Sequence, residues 1–147
     1  MIRDVLPEDI SKVQLLDRLC NLPAWPAGDY QGLLKRQDIH FIGFVPVSSE
    51  NRQLIGFCLT LVAEDAEILK IAVDPEWQGR GLGCRLLQDA VENARRRGCR
   101  SCFLEVRPSN RGAIDFYLGN KFEILSCRKG YYSQPPEDAL VMRIKLQ

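Results

Sequence analysis

A glycine-rich segment between an apolar strand and a helix constrains this chain more than any other feature. Residues 71–73 are apolar, and glycines follow at positions 79, 81 and 83. Glycine lets the backbone come close to a ligand, and the N–H groups at the start of a helix attract anions. Apolar residues at helical spacing come next. We therefore expect a strand–turn–helix unit that binds a pyrophosphate group.

Two common phosphate-binding motifs do not fit this segment. A Walker-type loop needs a lysine followed by serine or threonine after its last glycine, and the sequence has neither there. The dinucleotide-binding fingerprint needs its third glycine at position 84, which Cys84 occupies. What remains is the pattern Gln78-x-x-Gly81-x-Gly83 at the junction of a strand and a helix. A glycine-rich turn without a ligand is the alternative interpretation.

Length and charge restrict the class of protein. The 147 residues suit one domain, which we expect to extend over residues 1–147. A formal net charge of +1 gives no reason to expect nucleic acid or an anionic membrane as a partner. The arginines at 95–97 precede Gly98 at the predicted end of a helix, where cations complement the helix dipole. A phosphate-binding patch or a nucleic-acid-binding module built on these arginines is the alternative.

Cysteine usage and apolar segments indicate a cytoplasmic protein. The sequence has neither the apolar core of a signal peptide nor a segment long enough to span a membrane. We therefore expect its six cysteines to be reduced thiols. Cys99 and Cys102 form a C-x-x-C pair, but a second pair or a histidine partner for zinc is missing. We predict a structural role for this pair and no metal site.

His40 is the only histidine of the chain. It lies in the apolar run 40–45, which is typical of a strand, so we expect it to pack against its neighbours. A Ser-His or Cys-His hydrolase would depend on this one residue. Chemistry in this protein must therefore use carboxylates, phenols, thiols or backbone groups.

The hydrophobic pattern predicts strands and helices along the whole chain. Strands are expected near residues 2–5, 39–46, 53–63, 67–73, 102–107, 121–128 and 139–146. Helices are expected over residues 7–19, 30–35, 83–97 and 110–118. The helix after the glycines is the clearest element, because its apolar residues form one stripe. The polar residues 48–51 are expected to form the turn between the second and third strands.

Four segments occur in the order and at the spacing of one enzyme family. They are residues 71–83, 104–110, 113–117 and 130–139. Together they resemble the GCN5-related N-acetyltransferases (the GNAT family). Within that family they are most similar to the bacterial RimI type, which acetylates the N-terminal alanine of a small-subunit ribosomal protein. The resemblance is close over residues 67–143 and looser before them, where Pro23 and Trp25 match the family's first helical region.

The resemblance implies a fold and a cosubstrate. The fold is the α/β GNAT acyl-CoA acyltransferase fold, a mixed central sheet of about six to seven strands flanked by about four helices. The cosubstrate is acetyl-CoA, and no metal is implied. Backbone groups of Ile71, Ala72 and Val73 would pair with its pantetheine arm. The N–H groups that would hold its pyrophosphate belong to Gly79, Arg80, Gly81, Leu82, Gly83 and Cys84. Asn110 matches a further cofactor-binding position, although an asparagine there also suits a helix N-cap.

The resemblance also assigns proton transfer to two side chains. Glu105 matches the family's proton acceptor and Tyr117 its proton donor. An α-ammonium group, with a reference pKa of about 7.7–8.0, must lose a proton before it can attack a thioester, and a carboxylate can take that proton directly or through a water. A phenol can protonate the departing thiolate, while a backbone N–H stabilises the oxyanion. An ion pair between Glu105 and Arg107, and a packing role for Tyr117, are the alternatives.

The chain departs from the family at a few positions. Lys121 stands where the family has a glycine, so either Lys121 takes a positive φ or its neighbours make a different turn. Residues 21–36 and 133–135, on the acceptor side, match the family poorly. Tyr131 and Tyr132 either line a peptide groove or simply pack. Acyl transfer is therefore better supported than the identity of the acceptor.

The sequence predicts an enzyme that moves acetyl from acetyl-CoA to the N-terminal α-amino group of a protein. By resemblance the acceptor begins with alanine and belongs to the small ribosomal subunit. The alternatives are an acetyltransferase for lysine or a small-molecule amine, and a non-catalytic acetyl-CoA-binding module. The oligomeric state stays open, and a monomer is compatible with the sequence.

Overall fold

The elements of the chain follow one another in the predicted order. A computed structural model describes residues 1–47 and 52–147. The strands are β1 (Ile2–Asp4), β2 (Ile39–Phe44), β3 (Gly56–Val62), β4 (Ala66–Val73), β5 (Ser101–Val106), β6 (Glu123–Ser133) and β7 (Pro136–Lys145). The α-helices are α1 (Ile10–Leu19), α2 (Ala27–Leu34), α3 (Leu82–Arg96) and α4 (Arg111–Gly119), and 3₁₀ turns occupy Pro7–Asp9 and Pro75–Trp77. The turn predicted at residues 48–51 lies outside the described residues.

All seven strands belong to one mixed sheet in the order β1-β2-β3-β4-β5-β7-β6. Neighbouring strands are antiparallel except β4 and β5, which are parallel and are joined through α3. A parallel pair requires such a crossover connection. The predicted mixed sheet with four flanking helices is therefore confirmed for the part of the chain that the structure describes.

The two parallel strands separate after a short contact. Within the described ranges, β4 and β5 pair only where Ala66 meets Cys102 and Glu67 meets Phe103. Beyond that point β4 continues to Val73 without a neighbour on its β5 side. The N–H and C=O groups on this edge have no ladder partners, so the sheet contains a gap beside the second half of β4.

A β-bulge in β4 decides which side chains face which layer. Thr60 of β3 pairs with Ile68, whereas the preceding residue, Leu59, pairs with Lys70, so Leu69 is an extra residue. Side chains of a strand normally alternate between faces, and one extra residue reverses that alternation. The bulge therefore places Lys70 on the same face of the sheet as Glu67.

A hydrophobic core lies on each face of the sheet. Leu86, Leu87, Ala90, Val91 and Ala94 are buried on the α3 face, which confirms the predicted stripe. Val13, Leu16 and Tyr30 are buried on the opposite face, beneath α1 and α2. Each fully buried aliphatic side chain of this kind stabilises the fold by roughly 1.5–3 kcal/mol. The helices described are all too short or too polar to cross a membrane.

Three elements differ clearly from the predicted bounds. Helix α2 begins at Ala27 rather than near residue 30, because Pro26 takes the N-cap position and Gly28 is tolerated in the first turn. Strands β6 and β7 form a longer hairpin than predicted, with the turn between Ser133 and Pro136. The glycine and prolines of this region indicated a loop in the sequence, but two register shifts in β6 accommodate its extra residues.

Candidate active site

The glycine-rich segment folds back against the end of β4. The Asp74 side chain accepts a hydrogen bond from the N–H of Glu76 at 2.9 Å, which caps the 3₁₀ turn. The Gln78 side-chain amide donates to the carbonyl oxygen of Val73 at 2.9 Å. The turn is thus fixed beside the free edge of β4, over residues 71–73.

The start of α3 has the geometry of an anion site. Gly79 and Gly81 have φ values of 80° and 79°, in the left-handed region, and Gly81 is the N-cap of α3. No other atom would obstruct a Cβ at either position, so backbone conformation rather than space favours glycine there. The N–H groups of the first helical turn have no partner within the helix, and that turn carries no acidic side chain. Both features suit a pyrophosphate.

Glu105 lies on β5, on the face that is opposite α3. Its side chain is 17% exposed, and its Oε1 accepts a hydrogen bond from Arg128 Nη1 at 2.9 Å across β7. Among the described residues, the buried Oε2 has no hydrogen-bond partner. The alternative ion pair with Arg107 is wrong, because Arg107 contacts Glu137 at 3.4 Å instead. One oxygen of Glu105 is therefore held while the other is free for a ligand.

Glu67 is a second carboxylate beside Glu105, and the sequence analysis missed it. The two glutamates line one cleft of about 270 Å³ together with Leu61, Phe103 and Val141. Burial, followed by the negative charge of Glu105, raises the pKa of Glu67. An acidic residue in the mostly apolar run of β4 was the signal that could have identified it. The cleft opens where β4 and β5 separate.

The tyrosine pair of β6 lies beside the same carboxylate. The rings of Tyr131 and Tyr132 are 5.0 Å apart between centroids. Arg128 lies 4.4 Å from the centroid of the Tyr131 ring, and Arg107 lies 4.2 Å from that of Tyr132. Burial, followed by the charge of Glu105, raises the pKa of each phenol. The pair therefore packs on the arginines and also borders Glu105, so the two alternatives do not exclude each other.

Tyr117 lies on the other face of the sheet, on the side of α3. It lies on α4, is 8% exposed, and belongs to the α3-side core with Cys102 and Leu104. Its ring centroid is 5.9 Å from that of Phe122. Burial raises the pKa of this phenol above its ordinary value, so it stays protonated at neutral pH. Because Glu105 and Leu104 alternate along β5, Glu105 and Tyr117 lie on opposite faces of the sheet.

Asn110 is the N-cap of α4. Its Oδ1 accepts a hydrogen bond from the N–H of Ala113 at 3.1 Å, so the predicted capping role is confirmed. The capping bond leaves the side-chain NH₂ available, and cofactor binding by this residue stays a prediction.

Three of the cysteines, Cys58, Cys99 and Cys102, are buried, and the histidine is half-buried. All six cysteines are unbridged. Burial raises the pKa of Cys58 and of Cys102 to about 12, so neither is a thiolate at neutral pH. His40 is half-buried on β2, and burial lowers its pKa. Residues 1–47 and 52–147 contain no group of three acidic, histidine or cysteine residues arranged to hold a metal ion.

Known proteins share both the sequence and the fold of this chain. The model of the acetyltransferase (GNAT) family matches residues 10–120. The ribosomal protein bS18-alanine N-acetyltransferase of Haemophilus ducreyi is 28% identical over 149 residues, covering 99% of this chain and 100% of that protein. The Escherichia coli enzyme of the same name is 35% identical over 101 residues, covering 67% and 68%.

A solved structure agrees with these relatives. The crystal structure of the ribosomal-protein-S18-alanine N-acetyltransferase from Escherichia coli superposes with a TM-score of 0.85 at 25% identity. The superposition covers 100% of this chain and 94% of that chain. The similarity therefore includes every strand and helix that surrounds the gap between β4 and β5.

Proposed function

The chain belongs to the acetyltransferase (GNAT) family and is an acetyl-CoA-dependent N-acetyltransferase, and on this premise we propose that it acetylates the N-terminal α-amino group of a protein. The proposed acceptor begins with alanine and is a small-subunit ribosomal protein, as the names of the relatives suggest. The observation that carries the proposal is the free, buried Oε2 of Glu105 in a cleft beside the open edge of β4.

The free edge of β4 supports the assignment of the cosubstrate site. Acetyl-CoA brings an activated acetyl thioester to the reaction. Backbone groups of Ile71, Ala72 and Val73 bind the amides of its pantetheine arm in the manner of an added strand. The N–H groups from Gly79 to Cys84 bind its pyrophosphate, and Asn110 contributes its side-chain amide. Since the pyrophosphate end lies near Val73, the arm extends along β4 towards Glu67 and Glu105.

Glu105 is the proposed proton acceptor. Arg128 holds Oε1, which fixes the orientation of the carboxylate and leaves Oε2 directed at the acceptor. Oε2 removes one proton from the α-ammonium group, directly or through a water, and so produces the free amine that attacks the acetyl carbonyl. The nearby Glu67 adds negative charge that attracts the ammonium group.

Tyr117 is the proposed proton donor. Because its phenol is buried and protonated, it can deliver a proton to the CoA thiolate as the thioester breaks. The amine nitrogen loses its second proton once it is bonded to the acetyl carbon, and this proton, carried by water, restores the phenol. Its position on the α4 side of the gap separates it from Glu105 on the acceptor side. This separation suits a reaction in which the amine enters from one face of the sheet and the thiol leaves from the other.

Mass spectrometry with acetyl-CoA and three short peptides tests the acceptor. The first peptide has a free N-terminal alanine, the second a blocked terminus and an internal lysine, and the third has both groups blocked. We expect acetyl on the first peptide alone. Acetyl on the second alone would replace the proposal with lysine acetylation. Transfer to none of the three would indicate a small-molecule amine.

A further inference from the structure

A buried ion pair lies beneath the segment between α1 and α2. Lys70 of β4 and Asp17 of α1 approach to 3.2 Å between Nζ and Oδ1, and their side chains are 2% and 0% exposed. The hydroxyl of Tyr30 donates a hydrogen bond to the other oxygen of Asp17. Burying two charges is costly unless their polar groups are well partnered, so this pair needs an explanation.

The ammonium group of Lys70 contacts three further groups besides Asp17. Its Nζ donates to the carbonyl oxygen of Pro23 at 2.5 Å and to the hydroxyl of Tyr30 at 2.8 Å. It also lies 3.9 Å from the centroid of the Trp25 ring, close enough for a cation–π interaction. With a carboxylate, a carbonyl, a hydroxyl and a ring around it, this amine holds other groups in place and is not available as a nucleophile.

These contacts attach the α1–α2 segment, residues 20–26, to β4. Besides the contacts of Lys70, the Cys20 thiol donates to the carbonyl oxygen of Val73 at 3.2 Å. The Gln14 side chain donates to the carbonyl oxygen of Trp25 at 3.1 Å. The segment is therefore attached to β4 at Lys70 and Val73, three residues apart, and to α1 through Gln14 and through backbone hydrogen bonds of residues 21 and 22. Lys70 holds the middle of the segment, at Pro23 and Trp25.

The α1–α2 segment lies on the face of the sheet that carries Glu67 and Glu105. The bulge at Leu69 places Lys70 on the face of β4 that carries Glu67, so the segment bound to Lys70 covers that face. Glu67 and Glu105 line a cleft on this same face, and Glu67 is three residues from Lys70 along β4. Since the segment and the cleft share one face of the sheet, residues 20–26 are placed to border an acceptor that presents its amine to Glu105.

We propose that Lys70 is a positioning residue for the acceptor: by holding Pro23 and Trp25 against β4, it fixes the wall beside which the acceptor peptide binds. This inference rests on the proposed function, because it requires a peptide in the cleft. It assigns a task to a charged pair that takes no part in proton transfer. Lys70 holds the segment at Pro23 and Trp25, whereas the attachment to Val73, a residue proposed for acetyl-CoA, is made by Cys20. Loss of Lys70 should therefore affect the acceptor more than the cosubstrate.

The test uses a double variant, Asp17→Asn with Lys70→Met. Lys70→Met alone would leave Asp17 as an unpaired buried carboxylate and is expected to unfold the chain. In the double variant both charges are absent, the introduced amide oxygen can still accept from Tyr30, and the methionine fills much of the volume of the lysine. Leu87→Ala is the matched control, because Leu87 is 1% exposed on the opposite face, so its loss destabilises the core without contacting the segment.

Steady-state kinetics with the alanine-terminated peptide give the first readout. We expect the double variant to raise the KM for the peptide about tenfold, with kcat and the KM for acetyl-CoA changed by less than about threefold. Leu87→Ala should leave the peptide KM unchanged. An unchanged peptide KM in a folded double variant would overturn the proposal.

Amide hydrogen exchange gives a second readout that does not depend on the acceptor. Exchange over residues 20–26 should be faster in the double variant than in the wild type and in Leu87→Ala. Equal exchange in all three would overturn the proposal even if the wild type acetylates no peptide. Failure of the wild type to acetylate the peptide, by contrast, would overturn the proposed function itself.

Discussion

At the scale of single residues, Glu105 is held at one carboxylate oxygen and free at the other. A buried polar atom without a partner costs about 1–3 kcal/mol, which the folded chain must offset elsewhere. A ligand that donates a proton to Oε2 would remove this cost, and an ammonium group is such a ligand. The resemblance to the family pointed to Glu105, but the partnership with Arg128 was not predictable, because it depends on how β6 and β5 lie across β7.

Two substitutions distinguish the role of Glu105 as a proton acceptor from the effect of its ion pair with Arg128. We expect Glu105→Gln to lower kcat about a hundredfold or more, because the amide cannot take a proton from the acceptor. Arg128→Gln is the matched control, since it removes the same ion pair and keeps the carboxylate. It should cost much less activity. Steady-state rates at saturating acetyl-CoA measure both, and equal losses in the two variants would argue against proton acceptance.

The pH dependence of the rate reports on Tyr117. Burial raises the pKa of this phenol above its ordinary value of 10.0, so the protonated form persists into the alkaline range. The rate should therefore rise as the acceptor amine loses its proton, near its reference pKa of about 7.7–8.0, and then stay level to about pH 9.5. A decrease in kcat/KM as the pH rises from about 8 to 9, absent in Tyr117→Phe, would mean that the phenol loses its proton in that range and would contradict this assignment.

At the scale of elements, the turn after α4 carries a strained residue. Lys121 has a φ of 72°, so the first of the two alternatives for this departure from the family is the one the chain adopts. A residue other than glycine in this conformation costs roughly 1–2 kcal/mol. The N–H of Phe122 bonds the carbonyl oxygen of Tyr117 at 3.0 Å, so the turn closes normally despite the strain.

Relief of this strain is measurable by denaturant unfolding. Lys121→Gly should raise the free energy of unfolding by about 0.5–1 kcal/mol, since the relief of strain exceeds the extra entropy that glycine gives the unfolded chain. Lys145→Gly is the matched control in the exposed end of β7, where glycine should destabilise by a similar amount. A loss of stability in Lys121→Gly would mean that this side chain makes a contact worth more than its strain.

Elements whose apolar residues repeat at a regular spacing could be predicted from the sequence, and those without such a repeat could not. The stripe of α3 repeats at helical spacing and gave its buried face correctly. Strand β6 is exposed along almost its whole length, so its sequence lacks the alternation of apolar and polar residues that marks a half-buried strand. In addition, Gly130 indicated a turn inside it. The bulge at Leu69 depends on pairing with β3, which no local pattern encodes. For that reason the shared face of Glu67 and Lys70 was not predicted.

At the scale of the whole molecule, the order of elements was enough to predict the mixed sheet, and the family model confirms the family. The gap between β4 and β5 was not derivable from the sequence pattern, because it results from two strands that pair at one end and then diverge. The start of α3 and the free edge of β4 lie at this gap, and Glu105 and Tyr117 lie on opposite faces of the sheet. The single domain over residues 1–147 and the roles of the site residues stay predictions.

The central claim is that the acceptor is an α-amino group deprotonated by Glu105. One peptide that carries both a free N-terminal alanine and an internal lysine tests it most directly, with acetyl-CoA, the wild type and Glu105→Gln. Fragmentation mass spectrometry then locates the acetyl group. We predict acetyl on the α-amino group alone, formed about a hundredfold more slowly by Glu105→Gln. Acetyl on the lysine, or equal rates with the two proteins, would contradict the claim.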